Sequence, residues 1–257
     1  MDILRKELNA IYEAQHLNPA TLDRQAVAGA QRLLADWARV SNACMVLTDA
    51  SADSACLFTG HLGQLLGLTA VCPWSKTLFS ADEDLIYNRL HPEDLVEKRM
   101  LEYEFFKYVD ALPPADKLSY KATCRLRILD ADNRYVVLDN STQVLRLSPE
   151  GTIWLILCCY DLSSDQQWHD TVCPAIRSNR SGEVRRLSLA DKRTGVLTRR
   201  EKQILLLIKE GKLSKEIAAC LDISVHTVNR HRQNILEKLS VGNSLEAIRA
   251  ASSMKLL

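Results

Sequence analysis

Between residues 120 and 163 the chain carries three segments of strand pattern, joined by turns too short for a crossover. Tyr120, Ala122, Cys124, Leu126 and Ile128 alternate with Lys121, Thr123, Arg125 and Arg127. This is the period of two that sends successive side chains to opposite faces of a sheet. DADN then leads into RYVVLDNSTQVLRL, and SPEG into TIWLILCCYDLS. A parallel pair needs a connection of about a dozen residues, so the run reads as an antiparallel meander. A phosphorylatable receiver domain, whose strands alternate with helices, is excluded. Asp49, at the end of an apolar strand, is therefore not read as a phosphoacceptor.

Upstream, CMVLTD reads as a short strand and ASADSACLF as a turn and a second strand, together a hairpin. Residues 60–68 read as a brief helix and loop. In RLHPEDLVEKRMLEYEFFKYVDALPP, His91 caps a longer helix and Pro92 takes its first position. Glu93 and Asp94 complement the dipole, and Pro113-Pro114 close the element. Ahead of the hairpin, Leu4, Leu8, Ile11 and Tyr12 recur at helical spacing. Asn18-Pro19 reads as the start of a second helix with Leu22, Ala26, Ala30, Leu33 and Trp37 along one stripe. These two helices either pack on the following domain or form a dimerisation element; the pattern fits both.

Two strands, short helices, a longer helix and a three-strand meander resemble a PAS domain over residues 42–164, as do HPED opening the helix and YDLS closing the last strand. The resemblance implies an α+β fold: a five-stranded antiparallel sheet with helices on one face, often enclosing a small-molecule cavity. No cofactor is identifiable. The domain is expected either to mediate dimerisation or to hold an unknown small-molecule ligand, with Asn140 and Thr142 as candidate contacts if their face points inward. An outward, solvated face fits them equally. The cysteine motif of the flavin-adduct photosensors is not apparent. His61 and His91 are conceivable haem ligands, but a loop histidine and a helix cap are the favoured readings. The alternative function of this domain is a ligand-free protein-interaction module, with DNA binding controlled by a partner protein.

The last 61 residues read as four short helices. Thr198 and Glu201 form a capping box. Ile204, Leu205, Leu207 and Ile208 make an apolar stripe, and Gly211 releases the chain. Ser214 is expected to cap a second helix with Ile217, Ala218 and Leu221. Ser224 caps a third with Val228, Ile235 and Leu239, and Asn243 with Glu246 caps a fourth. Two short helices with a tight link, the second rich in polar and basic groups, make a helix-turn-helix. LTRRE, IKEG, KEIA, ISVHTVNRHRQNI, KLSV and EAI closely resemble the LuxR-type DNA-binding domain. The resemblance implies an all-α four-helix unit that binds promoter DNA as a dimer. By position, Asn229, Arg230 and Gln233 would face the bases. Lys215, Ser224, Thr227, His231, Arg232 and Lys238 would contact the backbone, although His231 fits packing between helices as well. Arg199, Arg200 and Lys202 fit a solvated helix face. Many members carry lysine where this chain has Asn229, so target sequence does not transfer.

Charge follows this division. Residues 197–257 carry 11 Lys/Arg and 6 Asp/Glu, whereas residues 1–164 carry 16 and 22. A basic end on an acidic body suits a nucleic-acid reader joined to another function. Residues 165–196, polar and with little apolar period, read as a linker in which Arg185-Arg186 and Lys192-Arg193 either trail along phosphates or, the favoured reading, keep the chain solvated. The division expected is thus helices over 1–41, a PAS-like domain over 42–164, a linker, and the helix-turn-helix over 197–257.

The eight cysteines include no CxxC pair and read as small buried hydrophobes, not as metal ligands or disulfides. MDILRKELNA lacks the apolar block of a signal peptide, and no apolar run approaches the ~18–20 residues of a membrane span. No nucleophile set, phosphate-cradling loop or metal cluster stands out. The expectation is a cytoplasmic transcriptional regulator and not an enzyme. Its expected partners are double-stranded promoter DNA, a second copy of itself and RNA polymerase, with no membrane.

Overall fold

The alternating run from Tyr120 folds as the meander its turns dictate. In the computed structural model, which describes residues 3–68, 75–78, 84–169, 171–188, 197–239, 241–253 and 257, β4 (Tyr120–Leu129), β5 (Tyr135–Leu147) and β6 (Ile153–Leu162) pair antiparallel in sequence. The hairpin β1 (Cys44–Asp49) and β2 (Ser54–Thr59) joins through β1 to β6. Cys72 and the Lys192-Arg193 pair lie outside the described residues. The chain divides into two compact units, Leu8–Leu187 and Met1–Glu7 with Ser188–Leu257.

The sheet is wider than the five strands expected. Its order is β3-β2-β1-β6-β5-β4-β7-β8, with β3 (Ser75–Leu78), β7 (Ala175–Ser178) and β8 (Val184–Arg186) added at the edges. The last two fall in the stretch read as a linker. Val172, Ala175 and Ile176 are buried there, and the Arg125 amide donates to the Val172 carbonyl at 2.7 Å. Strands of four and three residues are too short to print a readable period, and pairing of β7 with β4, and of β8 with β7, supplies what their own sequence does not.

Helices cover both faces of the sheet, not one. This is why every residue of β1 is buried and its sequence reads as a continuous apolar run. On one face, α2 (Arg24–Ser41) packs Leu34 and Ala38 against Met45, Leu47, Phe58, Leu155 and Leu157. The other face carries the long helix, which follows α3 (His61–Leu65) and α4 (Asp84–Tyr87) and precedes α6 (Pro114–Lys117). It is α5 (Pro92–Asp110), with His91 at its N-cap and Pro92 in its first turn as expected. Its Asp94 carboxylate accepts the Arg127 amide at 2.7 Å and the Arg127 guanidinium at 2.6 Å, tying the helix start to β4. Residues just after α1 (Ile3–Glu13) are also anchored: the Gln15 side-chain carbonyl accepts the Ile153 amide at 2.8 Å.

Two expectations for α2 are corrected. The helix starts at Arg24, not at Pro19, because Asp23 supplies the cap by accepting the Gln25 amide at 2.9 Å. The Asn18 carboxamide closes a turn on Ala20 at 3.0 Å instead. The stripe facing the sheet contains Leu34 and Ala38, one residue round from the Leu33–Trp37 stripe read from spacing, and Leu33 and Trp37 face solvent.

Asp49 is used structurally. Its carboxylate accepts the Trp154 indole at 3.0 Å, the Ser51 hydroxyl at 2.5 Å and the Arg24 guanidinium at 3.1 Å. Seven cysteines are free among the described residues, and burial pushes the Cys44 and Cys124 thiols up to about 12. His91, Glu93 and Asp94 bring ligand-type atoms within 4.8 Å of one another. Arg127 already holds both carboxylates, at 3.2 and 2.6 Å. Burial and the Arg127 charge lower the His91 pKa.

Where α2 runs into β1, Gly60 admits the crossing chain: a β-carbon there would lie 2.2 Å from the Ala38 carbonyl oxygen and 2.6 Å from the Asn42 α-carbon. Both are backbone, so neither yields cheaply. Gly60→Ala is expected to destabilise this unit by ~1–3 kcal/mol or more, read as a lower denaturant midpoint; an unshifted midpoint would show that the crossing has slack.

Candidate nucleic-acid interface

Four short helices are set by their caps. Thr198 and Glu201 form the capping box of α7 (Arg199–Lys209), and Gly211, at φ +81°, lets the chain turn away. α8 (Ser214–Leu221) is capped one residue earlier than expected: the Leu213 amide donates to the Glu216 carboxylate at 2.7 Å. Ser214 is freed for another bond. Asp222, in the left-handed region at φ 51°, makes the tight turn. Ser224 accepts the Thr227 amide at 3.0 Å and starts α9 (Val225–Leu239). Asn243 accepts the Glu246 amide at 3.0 Å and starts α10 (Ser244–Ser253). Ile204, Leu205, Ile217, Val228, Ile235, Leu239, Ala247 and Ala251 form the buried centre.

That burial fixes the rotation of α9. At about 100° per residue, Val228, Ile235 and Leu239 share one face, Arg230 and Gln233 fall on the far side of the helix, and Asn229 lies on the flank beside Gln233. All three are exposed, with His226 and Glu237 beside them. The Gln233 amide donates to Glu237 at 3.3 Å. Lys215 is exposed at the start of α8. The Ser224 and Thr227 hydroxyls lie 2.8 Å apart at the start of α9.

Of the remaining candidates, Arg232 and Lys238 are engaged within the fold. Arg232 donates to the Ser214 hydroxyl at 2.9 Å and to the Ser244 hydroxyl at 3.0 Å, joining the first turns of α8 and α10. His231 is half-buried, and its Nδ1 has no hydrogen-bond partner among the described residues. Lys238 pairs with Glu201 at 2.7 Å, the two side chains being 15% and 3% exposed. Arg200, for which the sequence leaves a solvated helix face open, donates to the Leu221 carbonyl at 2.6 Å and closes the end of α8.

Glu201 thus serves two helices. The same carboxylate oxygen accepts the Thr198 amide and the Lys238 ammonium, each at 2.7 Å. Burial alone would raise its pKa, but the bonds from Lys238 and Thr198 outweigh this and hold it below the ordinary carboxylate range.

In the sheet-bearing unit, Asn140 and Thr142 lie on the buried face. The Asn140 amide donates to the Cys159 carbonyl at 3.0 Å, and the Thr142 hydroxyl reaches Glu102 at 3.5 Å and the Cys158 thiol at 3.2 Å. Beside Thr142 is an ionic cluster that the sequence did not reveal. Lys98 pairs with Glu102, and the Tyr87 hydroxyl lies 2.9 Å from the Lys98 ammonium and 3.0 Å from the Glu102 carboxylate. All three side chains are buried. Lys and Glu four apart on a helix are the ordinary pattern of a solvated pair, so no local signal marks them as interior.

A carboxyl held below its unfolded pKa stabilises the fold above that value. Stability of the four-helix unit is therefore expected to be full above about pH 4.5, the ordinary glutamate value, and to fall as pH drops through the depressed Glu201 pKa. Lys238→Ala removes one partner of a largely buried pair and should cost ~2–4 kcal/mol. Unfolding curves between pH 3 and 7 would refute this if Glu201→Gln left the acid limb unchanged.

The sequence over residues 195–251 matches the family of bacterial regulatory proteins designated luxR. The uncharacterized response regulatory protein YgeK of Escherichia coli K12 is 33% identical over 125 residues, which cover 45% of this chain and 78% of YgeK. The transcriptional regulatory protein UhpA of the same organism is 44% identical over 63 residues, 24% of this chain and 32% of UhpA. The transcriptional repressor ThaA of Burkholderia thailandensis is 33% identical over 103 residues, 38% of this chain and 39% of ThaA. Among solved structures, the phage VqmA–DPO complex aligns at 16% identity with a TM-score of 0.29 over 89% of each chain. With four-fifths of one relative spanned and the luxR match lying on the capped four-helix unit, this chain belongs to the luxR family of bacterial regulatory proteins.

Proposed function

We propose that this luxR-family regulator binds promoter DNA as a homodimer and selects its sites through Asn229, Arg230 and Gln233. The observation that carries this reading is their common exposure on the side of α9 turned away from the buried Val228, Ile235 and Leu239. An α-helix fits the major groove, where arginine pairs with guanine and Asn or Gln with adenine. Lys215, Ser224 and Thr227 lie at helix starts, where amides and small hydroxyls suit phosphate oxygens. Arg232 and Lys238 take a supporting role: their charges are spent on Ser214, Ser244 and Glu201. His231, half-buried, is placed with them.

Residues 42–164 are read as PAS-like, supported by the element order of two strands, short helices, one long helix and a three-strand meander. We assign this unit to control of DNA binding through association. Asn140 and Thr142 have their hydrogen bonds met by Cys159, Glu102 and Cys158, which favours a filled interior at those positions. Small-molecule sensing is the rival reading. Native mass spectrometry separates the two: a dimer without added mass supports association, and a retained small molecule supports sensing.

Arg230→Ala is expected to cost ~1–3 kcal/mol at its base and to relax specificity there. Lys215→Ala should weaken all duplexes alike and flatten the salt slope by about one unit, with Lys238→Ala leaving that slope in place. Competition binding across a salt series checks both. A parent-like discrimination by Arg230→Ala would remove it from the base-reading set.

A further inference from the structure

The exposed side of α2 carries a stripe with no internal purpose. Leu33, Trp37 and Val40 are 61%, 54% and 83% exposed, while Leu34 and Ala38 on the adjoining side are sealed against the sheet. Beside the stripe runs an open groove of about 890 Å³, lined by Leu33, Trp37, Leu118, Leu145 and Leu147 among others. Large apolar side chains clustered beside an apolar groove mark an interaction surface more often than a solvated one.

The flanking charges indicate the partner. Asp36 and Arg39 lie on one edge of the stripe and pair with each other across one turn. When a helix meets its own copy antiparallel about a two-fold axis, the same edge of each faces the other. An axis passing near Trp37 opposes Trp37 to the partner's Trp37 and sets Leu33 by the partner's Val40. The same register brings Asp36 to the partner's Arg39, and Arg39 to the partner's Asp36. One register therefore satisfies the apolar stripe and both charges at once, the self-complementarity that a two-fold interface requires.

We propose that α2 is the homodimer contact of this regulator, a second copy of the chain docking antiparallel along Leu33, Trp37 and Val40, with the Asp36–Arg39 pair exchanged between subunits. It rests on the dimer reading above and specifies its surface.

Sedimentation equilibrium of the full chain over a concentration series tests it. Trp37→Glu should raise the dimer dissociation constant by about a hundredfold or more. Asp36→Arg and Arg39→Asp, both at exposed positions that the fold tolerates, should each raise it by about tenfold by setting like charges together. The double variant should return it to within about threefold of the parent, because the exchanged pair is restored in reverse. A parent that dimerises, with Trp37→Glu dimerising equally well or the double variant no better than the singles, overturns this surface and leaves the dimer reading standing. A parent that stays monomeric at every concentration overturns both. Should Trp37→Glu fail to fold, the charge-reversal series decides alone.

Discussion

The burial of Val228, Ile235 and Leu239 is the constraint from which the proposed DNA-reading face follows. Three apolar side chains on one side of a fifteen-residue helix leave that helix one rotation in which they escape water, at ~1.5–3 kcal/mol for each buried side chain. In that rotation Asn229, Arg230 and Gln233 point outward together. The groups proposed to read bases thus take their outward direction from the core and not from contacts of their own. The polar bonds around the helix refine the arrangement. Arg232 spans the first turns of α8 and α10, and Lys238 ties the end of α9 to the cap of α7 through Glu201.

Much of this is legible in the sequence because it is local. Capping pairs act over three residues, so Thr198 with Glu201 and Asn243 with Glu246 are read directly, and Pro92 marks the first turn of α5. Turn length fixes the meander, since chain geometry forbids any other pairing. The cap expected at Ser214 moves by one residue because Glu216 caps the helix from inside it. Residue type alone does not say which half of a capping box will form.

What escapes the sequence depends on partners distant along the chain. Lys98 and Glu102 look like a solvated pair until the sheet closes over them, and nothing in the spacing announces that Glu201, thirty-seven residues earlier, pairs with the Lys238 ammonium. The strands β7 and β8 are hidden in a polar stretch because their pairing comes from outside it, β7 lying on β4 and β8 on β7. The rotation of α2 differs by one residue from the one its spacing suggests. Alanines and leucines populate two adjacent stripes, and periodicity does not say which one meets the sheet. The stripe left over is the surface proposed to meet a second copy of the chain.

Selection from a random duplex pool by the full-length protein is the most direct measure of whether the outward face of α9 reads bases. Enrichment of a motif with two related half-sites about one helical turn apart, lost when Asn229, Arg230 and Gln233 are replaced together by alanine, is the expected result. A pool that stays random after repeated rounds at low salt, or a motif that survives the triple replacement unchanged, would contradict it.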